Sequence, residues 1–214
     1  LILLAIFQRG RIIIANRLRH EQSRNTAKER EATAAILRLS REALGADTRE
    51  EAFLSQYVAY ALRALQGTGA AVLVAQEDGS LRGCAVMGTF PPLREVTDKI
   101  EQLLLAHPKK HSEFLRELTL PFTVDEIGEW CRQKGFAFFR NEVPPGFPPD
   151  FMRHAPLTAI APIRVHHAIA ACVIVVSTED FDSHKIDETD AAYLVRLNEI
   201  AALSIEGIRL FQER

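Results

Sequence analysis

Leu157-Thr158-Ala159-Ile160-Ala161-Pro162-Ile163-Arg164-Val165 and Ala168-Ile169-Ala170-Ala171-Cys172-Val173-Ile174-Val175-Val176-Ser177 stand on either side of His166-His167. Both stretches are short and rich in β-branched residues, so they read as two strands joined at the histidine pair. The second runs apolar without alternation, as a strand buried on both faces must. Upstream, Phe136 to Phe139 is a short aromatic strand, and Ala70 to Gln76 and Leu81 to Met87 flank the turn Glu77-Asp78-Gly79-Ser80. The Asp-Gly step makes that second pair a hairpin.

The intervening segments carry helical patterns. In 50–65, Phe53, Leu54, Tyr57, Val58, Ala61, Leu62 and Leu65 recur at three and four, and Gly67 and Gly69 end the run. Residues 93–106 and 111–118 read as helices separated near Pro108, and Thr123 with Glu126 forms a capping box opening a third helix through Trp130. A long helix is expected from Asp187 to about Phe211. Val143-Pro144-Pro145-Gly146-Phe147-Pro148-Pro149-Asp150 excludes helix and central strand, and reads as a rigid, lid-like or plain surface loop. Two hairpins with segregated helices predict an α+β fold with an antiparallel sheet flanked by helices.

Residues 11–44 hold no proline or glycine and read as one long helix, with Gly45 as stop signal. Leu18, Asn25, Ala32 and Leu39 are spaced by seven, as are Ile36 and Ala43. This weak heptad seam suggests a dimeric coiled coil; a solvated single helix is the alternative. Before it, the apolar run Leu1 to Phe7 precedes Arg9, Arg11, Arg17, Arg19 and Arg24. Seven apolar residues cannot span a bilayer, but they fit the tail of a membrane helix with its cytoplasmic basic flank; the alternative is a short packing segment. The expected division is 1–10 membrane tail and flank, 11–46 signalling helix, and 47–214 sensory domain with a C-terminal output helix.

Across 214 residues, 47% hydrophobic and 25% charged with net charge −2, the balance is that of a globular chain large enough to bury a core unaided. There is no global basic field to bind nucleic acid. Cys84, Cys131 and Cys172 are odd in number, widely spaced and set among apolar residues, as buried reduced thiols are.

The order of elements resembles a GAF domain over roughly residues 47–212. The resemblance is carried by the hairpin Ala70–Gly88, by the stretch Ile127-Gly128-Glu129-Trp130-Cys131-Arg132-Gln133-Lys134-Gly135-Phe136-Ala137-Phe138-Phe139-Arg140-Asn141-Glu142-Val143, and by the closing strands with Ala161-Pro162-Ile163, Phe181-Asp182 and the last helix. A PAS domain is the nearest rival, and the long closing helix and the Pro162 strand favour GAF. Where the family has a glycine turn, this chain has His166-His167, which argues against a tight turn of that type. The resemblance implies a regulatory domain between a membrane segment and an output module, at the cytoplasmic face of the membrane. It binds a small molecule or mediates dimerisation through its N- and C-terminal helices. The effector in the same parent chain would be a PP2C-type serine phosphatase, a histidine kinase or a diguanylate cyclase.

Chemistry-bearing motifs are sparse. There is no phosphate loop, dinucleotide fingerprint or GxSxG elbow. Adjacent His166 and His167 on a strand would point to opposite faces, so they do not chelate one metal. The cysteines do not match the spacing of the methionine sulfoxide reductases of the family, leaving a cysteine-based reductase as the minor alternative to a non-enzymatic domain, and no cofactor is named. In the resembled fold the ligand pocket lies between one sheet face and the middle helices. The matching positions are Cys84 and Met87, Trp130, Phe138 and Arg140, and Ala159 and Ala161. The small alanines would leave room and Arg140 would pair with an anionic group. The competing reading makes Trp130 and Phe138 core, Arg140 a surface residue, and the whole a ligand-free dimerisation module.

Overall fold

The computed structural model describes residues 27–43, 49–91, 119–177 and 185–212. In chain order the elements are α1 (27–43), α2 (Arg49–Leu65), β1 (Gly69–Ala75), β2 (Ser80–Gly88), β3 (Thr119–Thr123), α3 (Val124–Trp130), β4 (Ala137–Arg140), α4 (Phe151–His154), β5 (Leu157–Val165), β6 (Ala168–Ser177) and α5 (Glu188–Gln212). The strands form a six-stranded sheet in the order β3-β2-β1-β6-β5-β4, with every pairing antiparallel. This is the α+β architecture that the two hairpins predict. The expected helices 93–106 and 111–118, the Phe181-Asp182 turn, and Leu1 to Phe7 with the arginines behind it lie outside the described residues.

The hairpin of β5 and β6 has the bounds its sequence predicts. Cys172 to Val176 are fully buried because β6 sits between β1 and β5 with helices and loops on both faces. Pro162 is accommodated because β4 pairs only with Leu157–Ile160, so β5 has an open side from Ala161 onward where no N–H is required. Val165 pairs directly with Ala168, leaving a two-residue turn. His166 and His167 both have positive φ, 49° and 70°. That is a primed hairpin turn made without glycine, against the expectation set by the residue types. Its left-handed backbone costs roughly 1–2 kcal/mol per residue. Extensive ladder pairing of β5 with β6 holds it in place.

β3 is an addition to the expected strands. Pro121 argues against a central strand, and the structure resolves this by placing β3 at the sheet edge beside β2. Thr123 then caps α3 as the capping box predicts: Glu126 N–H donates to Thr123 Oγ1 at 3.4 Å, and the Thr123 N–H donates to Glu126 Oε2 at 2.6 Å.

One sheet face carries α2 and α5, which run antiparallel. Their apolar stripes bury Phe53, Leu54, Tyr57, Leu194, Leu197 and Ile205 against Val72, Val173 and Val175. α1 joins this layer. Ala32, Ile36 and Ala43 are at most 1% exposed, so three positions of the heptad pattern are taken up by the chain's own core. Between the layers sits one polar cluster. Tyr57 Oη donates to Asn198 Oδ1 at 2.6 Å, and Asn198 Nδ2 donates to the carbonyls of Ala161 (3.0 Å) and Pro162 (3.2 Å). Further out, Arg209 makes a two-pronged pair with Glu50 (2.7 and 2.9 Å) and Arg196 pairs with Glu29, joining α5 to α2 and to α1.

Asn198→Ala leaves the buried Tyr57 hydroxyl without its acceptor and removes a donor from two strand carbonyls. It should destabilise the chain by about 3 kcal/mol in urea unfolding, against about 1 kcal/mol for Tyr57→Phe. Equal small losses from both variants would show that the cluster does not tie the helices to the sheet.

Candidate functional site

Side chains alternate along a strand, so the sheet presents two faces of different character. On the helix face, Ala70, Val72, Ala159, Ala161, Val173 and Val175 meet α2 and α5. On the opposite face, Ala71, Leu73, Val86, Ala137, Ile160, Cys172, Ile174 and Val176 meet α3, α4 and the proline-rich loop.

The expected site residues divide between these faces. Phe138 lies opposite Ala159 across the β4–β5 pair. Both of them, with Ala161, Cys84 and Met87, belong to the helix face, where the room left by the alanines is taken by α5. Trp130 packs on the other face, its ring 6.3 Å from Phe139 at 85°. Arg140 is exposed at the end of β4, with its guanidinium 6.0 Å from the Phe138 ring. The seven residues therefore do not converge. Strand parity divides them: the neighbours Val86, Phe139 and Ile160 face the middle segment.

That face has its own anchors. Ile127 of α3, Cys131 at its C-terminal cap and Phe151 of α4 are at most 1% exposed. Phe147, from the middle of the proline-rich loop, is buried with its ring 4.7 Å from Phe151 at 89°. Backbone bonds from Phe147 N–H to Pro144 O (3.0 Å) and from Phe151 N–H to Pro148 O (2.9 Å) shape the loop into two turns. The loop is thus pinned to the sheet. A large aromatic among four prolines was the available signal for this anchor.

Cys131 Sγ–H donates to Ile160 O at 3.6 Å, and burial pushes its thiol up to about 11. Cys172 is pushed well up by burial first and by nearby Cys131 second. Cys84 is buried on the other face, its thiol donating to Glu51 O at 3.9 Å. Burial favours the neutral form of both thiols on the middle-segment face, where they pack among apolar side chains. The buried Thr158 hydroxyl donates to Ala155 O at 3.2 Å. Among the described residues, no buried side-chain nitrogen or oxygen lacks a partner, and no cluster of three or more His, Cys, Asp or Glu could hold a metal. No helix among them is long and apolar enough to cross a membrane.

The fold of this chain recurs in solved structures. The chain has a GAF-like fold. The phycocyanobilin-bound GAF domain of a cyanobacterial phytochrome is similar at TM-score 0.56 and 12% identity, over 87% of this chain and 98% of that one. Free methionine-R-sulfoxide reductase from Neisseria meningitidis, in complex with its substrate, is similar at TM-score 0.54 and 16% identity, over 85% and 90%. The GAF domain of a phosphoenolpyruvate-protein phosphotransferase from Coxiella burnetii is similar at TM-score 0.53 and 15% identity, over 85% and 99%. No family model matches the sequence, and no curated protein does. The GAF-like fold is therefore carried by burial pattern and topology.

Because the Cys131 thiol ionises more readily unfolded than folded, its burial contributes stability that is complete below pH 9.0 and lost as pH rises toward about 11. Stability measured by urea should fall across that window, and Cys131→Ala should reduce the fall by up to about 2 kcal/mol. An unchanged slope in the variant would assign the loss to other groups.

Proposed function

We propose that this chain is a sensory or regulatory domain that takes a small molecule on the sheet face under α3 and the proline-rich loop. The response passes through the sheet to α1, α2 and α5, and from there to an effector in the same parent chain at the cytoplasmic face of a membrane. The reading rests chiefly on one observation. Asn198 of α5 bonds the carbonyls of Ala161 and Pro162, while the neighbouring Ile160 belongs to the opposite face. A shift of β5 caused by an occupant on one side must move or break the attachment of α5 on the other, which supplies a two-state element for coupling. Two of the similar structures hold a small molecule, which supports ligand binding on this fold. The neutral, buried thiols favour a non-enzymatic role over a cysteine-based reductase.

Native mass spectrometry of the chain as purified from cells tests the reading. A reproducible added mass is expected, whose removal speeds hydrogen exchange in both α3 and α5. A bare mass, with exchange in α5 indifferent to any variant of the α3 face, would overturn ligand coupling.

Dimerisation through the helices is the second reading. Leu203, Leu210 and Phe211 of α5 are 68%, 57% and 54% exposed, and Leu37 of α1 is 45% exposed. Leu203 and Leu210 are seven apart, and between them nothing approaches Gly207, so a partner helix could lie close. The dimer seam would then follow this stripe instead of Ala32 and Ile36. Sedimentation at tens of micromolar should show a dimer that Leu203→Glu with Leu210→Glu converts to monomer; a wild-type monomer would dismiss it.

A further inference from the structure

Where α1 crosses α2 and α5, the three helices leave a groove of about 680 Å³, on the opposite side of the sheet from α3. The size is that of small-molecule sites in general. Ala35, Ala64 and Ala192, one from each helix, line it with small side chains.

Tyr60 and Tyr193 stand in it side by side, and neither hydroxyl has a hydrogen-bond partner among the described residues. Glu31 and Arg63 act on the Tyr60 phenol with opposite sign, so a carboxylate and a guanidinium both stand near it. Of the other charges, Glu29 and Arg196 are committed to each other. Arg63 donates only its Nε, to Ala59 O at 3.3 Å, leaving both terminal nitrogens. Lys28 and Glu31 make no ion pair among the described residues. The groove thus holds uncommitted charge of both signs, two phenol hydroxyls and two aromatic rings, on walls contributed by three separate helices.

We propose that this groove is a binding site for a small zwitterion, a molecule of the amino-acid kind with one carboxylate and one ammonium group. The carboxylate would sit on the terminal nitrogens of Arg63, with Lys28 beside it. The ammonium would face Glu31 and the rings of Tyr60 and Tyr193, whose quadrupoles attract a cation and whose hydroxyls accept from it. An occupant held this way fastens α1 to α2 and α5, and it does so without using the face under α3. The proposal therefore stands whether or not a ligand binds there.

The test is saturation-transfer NMR on the full 214-residue chain with an equimolar mixture of the common amino acids, followed by titration of each compound that responds. At least one should bind with a Kd below about 1 mM. Arg63→Glu and Lys28→Glu are surface changes that keep the fold; each should weaken binding about tenfold or more, as should Tyr60→Phe. Trp130→Ala, on the other face, should leave it unchanged. No binding up to about 10 mM overturns the proposal. So does binding that the groove variants leave intact, or that Trp130→Ala abolishes, since it would then belong to the α3 face.

Discussion

A single buried amide fixes how the helices meet the sheet. The buried Asn198 places its polar atoms on Tyr57 and on the carbonyls of Ala161 and Pro162, where β5 runs past the end of β4. Burying an amide unpaired costs several kcal/mol, so alternative seatings of α5 that would bury the same apolar area are penalised. The apolar contacts between the helices and Val72, Val173 and Val175 drive the packing, and they are nearly indifferent to a small slide or rotation. The hydrogen bonds are not. They set the register of α5 on β5, and through Tyr57 they set α2 as well.

That constraint makes the two faces unequal. The helix face is closed by long, continuous elements joined by Asn198 and, at its rim, by Arg209–Glu50 and Arg196–Glu29. The rim pairs are partly exposed and worth little individually, at most about 1 kcal/mol each. Among the described residues, the other face carries a seven-residue helix, a four-residue helix and a loop, held by Ile127, Phe147 and Phe151. Short elements pinned at a few points are easier to displace than a helix of 25 residues seated along a strand.

The His166-His167 turn shows the same hierarchy of forces. Neither residue favours a positive φ, yet the ladder between β5 and β6 is long enough to impose it. The turn's geometry follows from the register of the strands it joins, not from its own residues. Glu206 of α5 lies 3.2 Å from His166 Nε2, so the tip of the hairpin also touches the helix that Asn198 holds against the middle of β5.

The order of strands and helices was legible in the sequence because it depends on local periodicity. The β5 and β6 bounds, the Asp-Gly hairpin, the capping box at Thr123 and the long last helix are all set by residues within a few positions of one another. Pro121 hid β3, because tolerance of a proline depends on whether the strand lies at an edge. The parity of the candidate site was also not legible. Ala159 and Ile160 are equally apolar and equally buried, and no local signal says which of them faces α5. Asn198 decides it, by pairing across 36 and 37 residues with the backbone of β5. The groove between α1, α2 and α5 likewise exists only once residues from three distant helices are brought together. The sequence by itself determined which segments become strands and helices, since those preferences act over one or two turns of chain. Which face of the sheet each side chain serves was decided by the tertiary structure, because satisfying a buried polar group is a long-range condition.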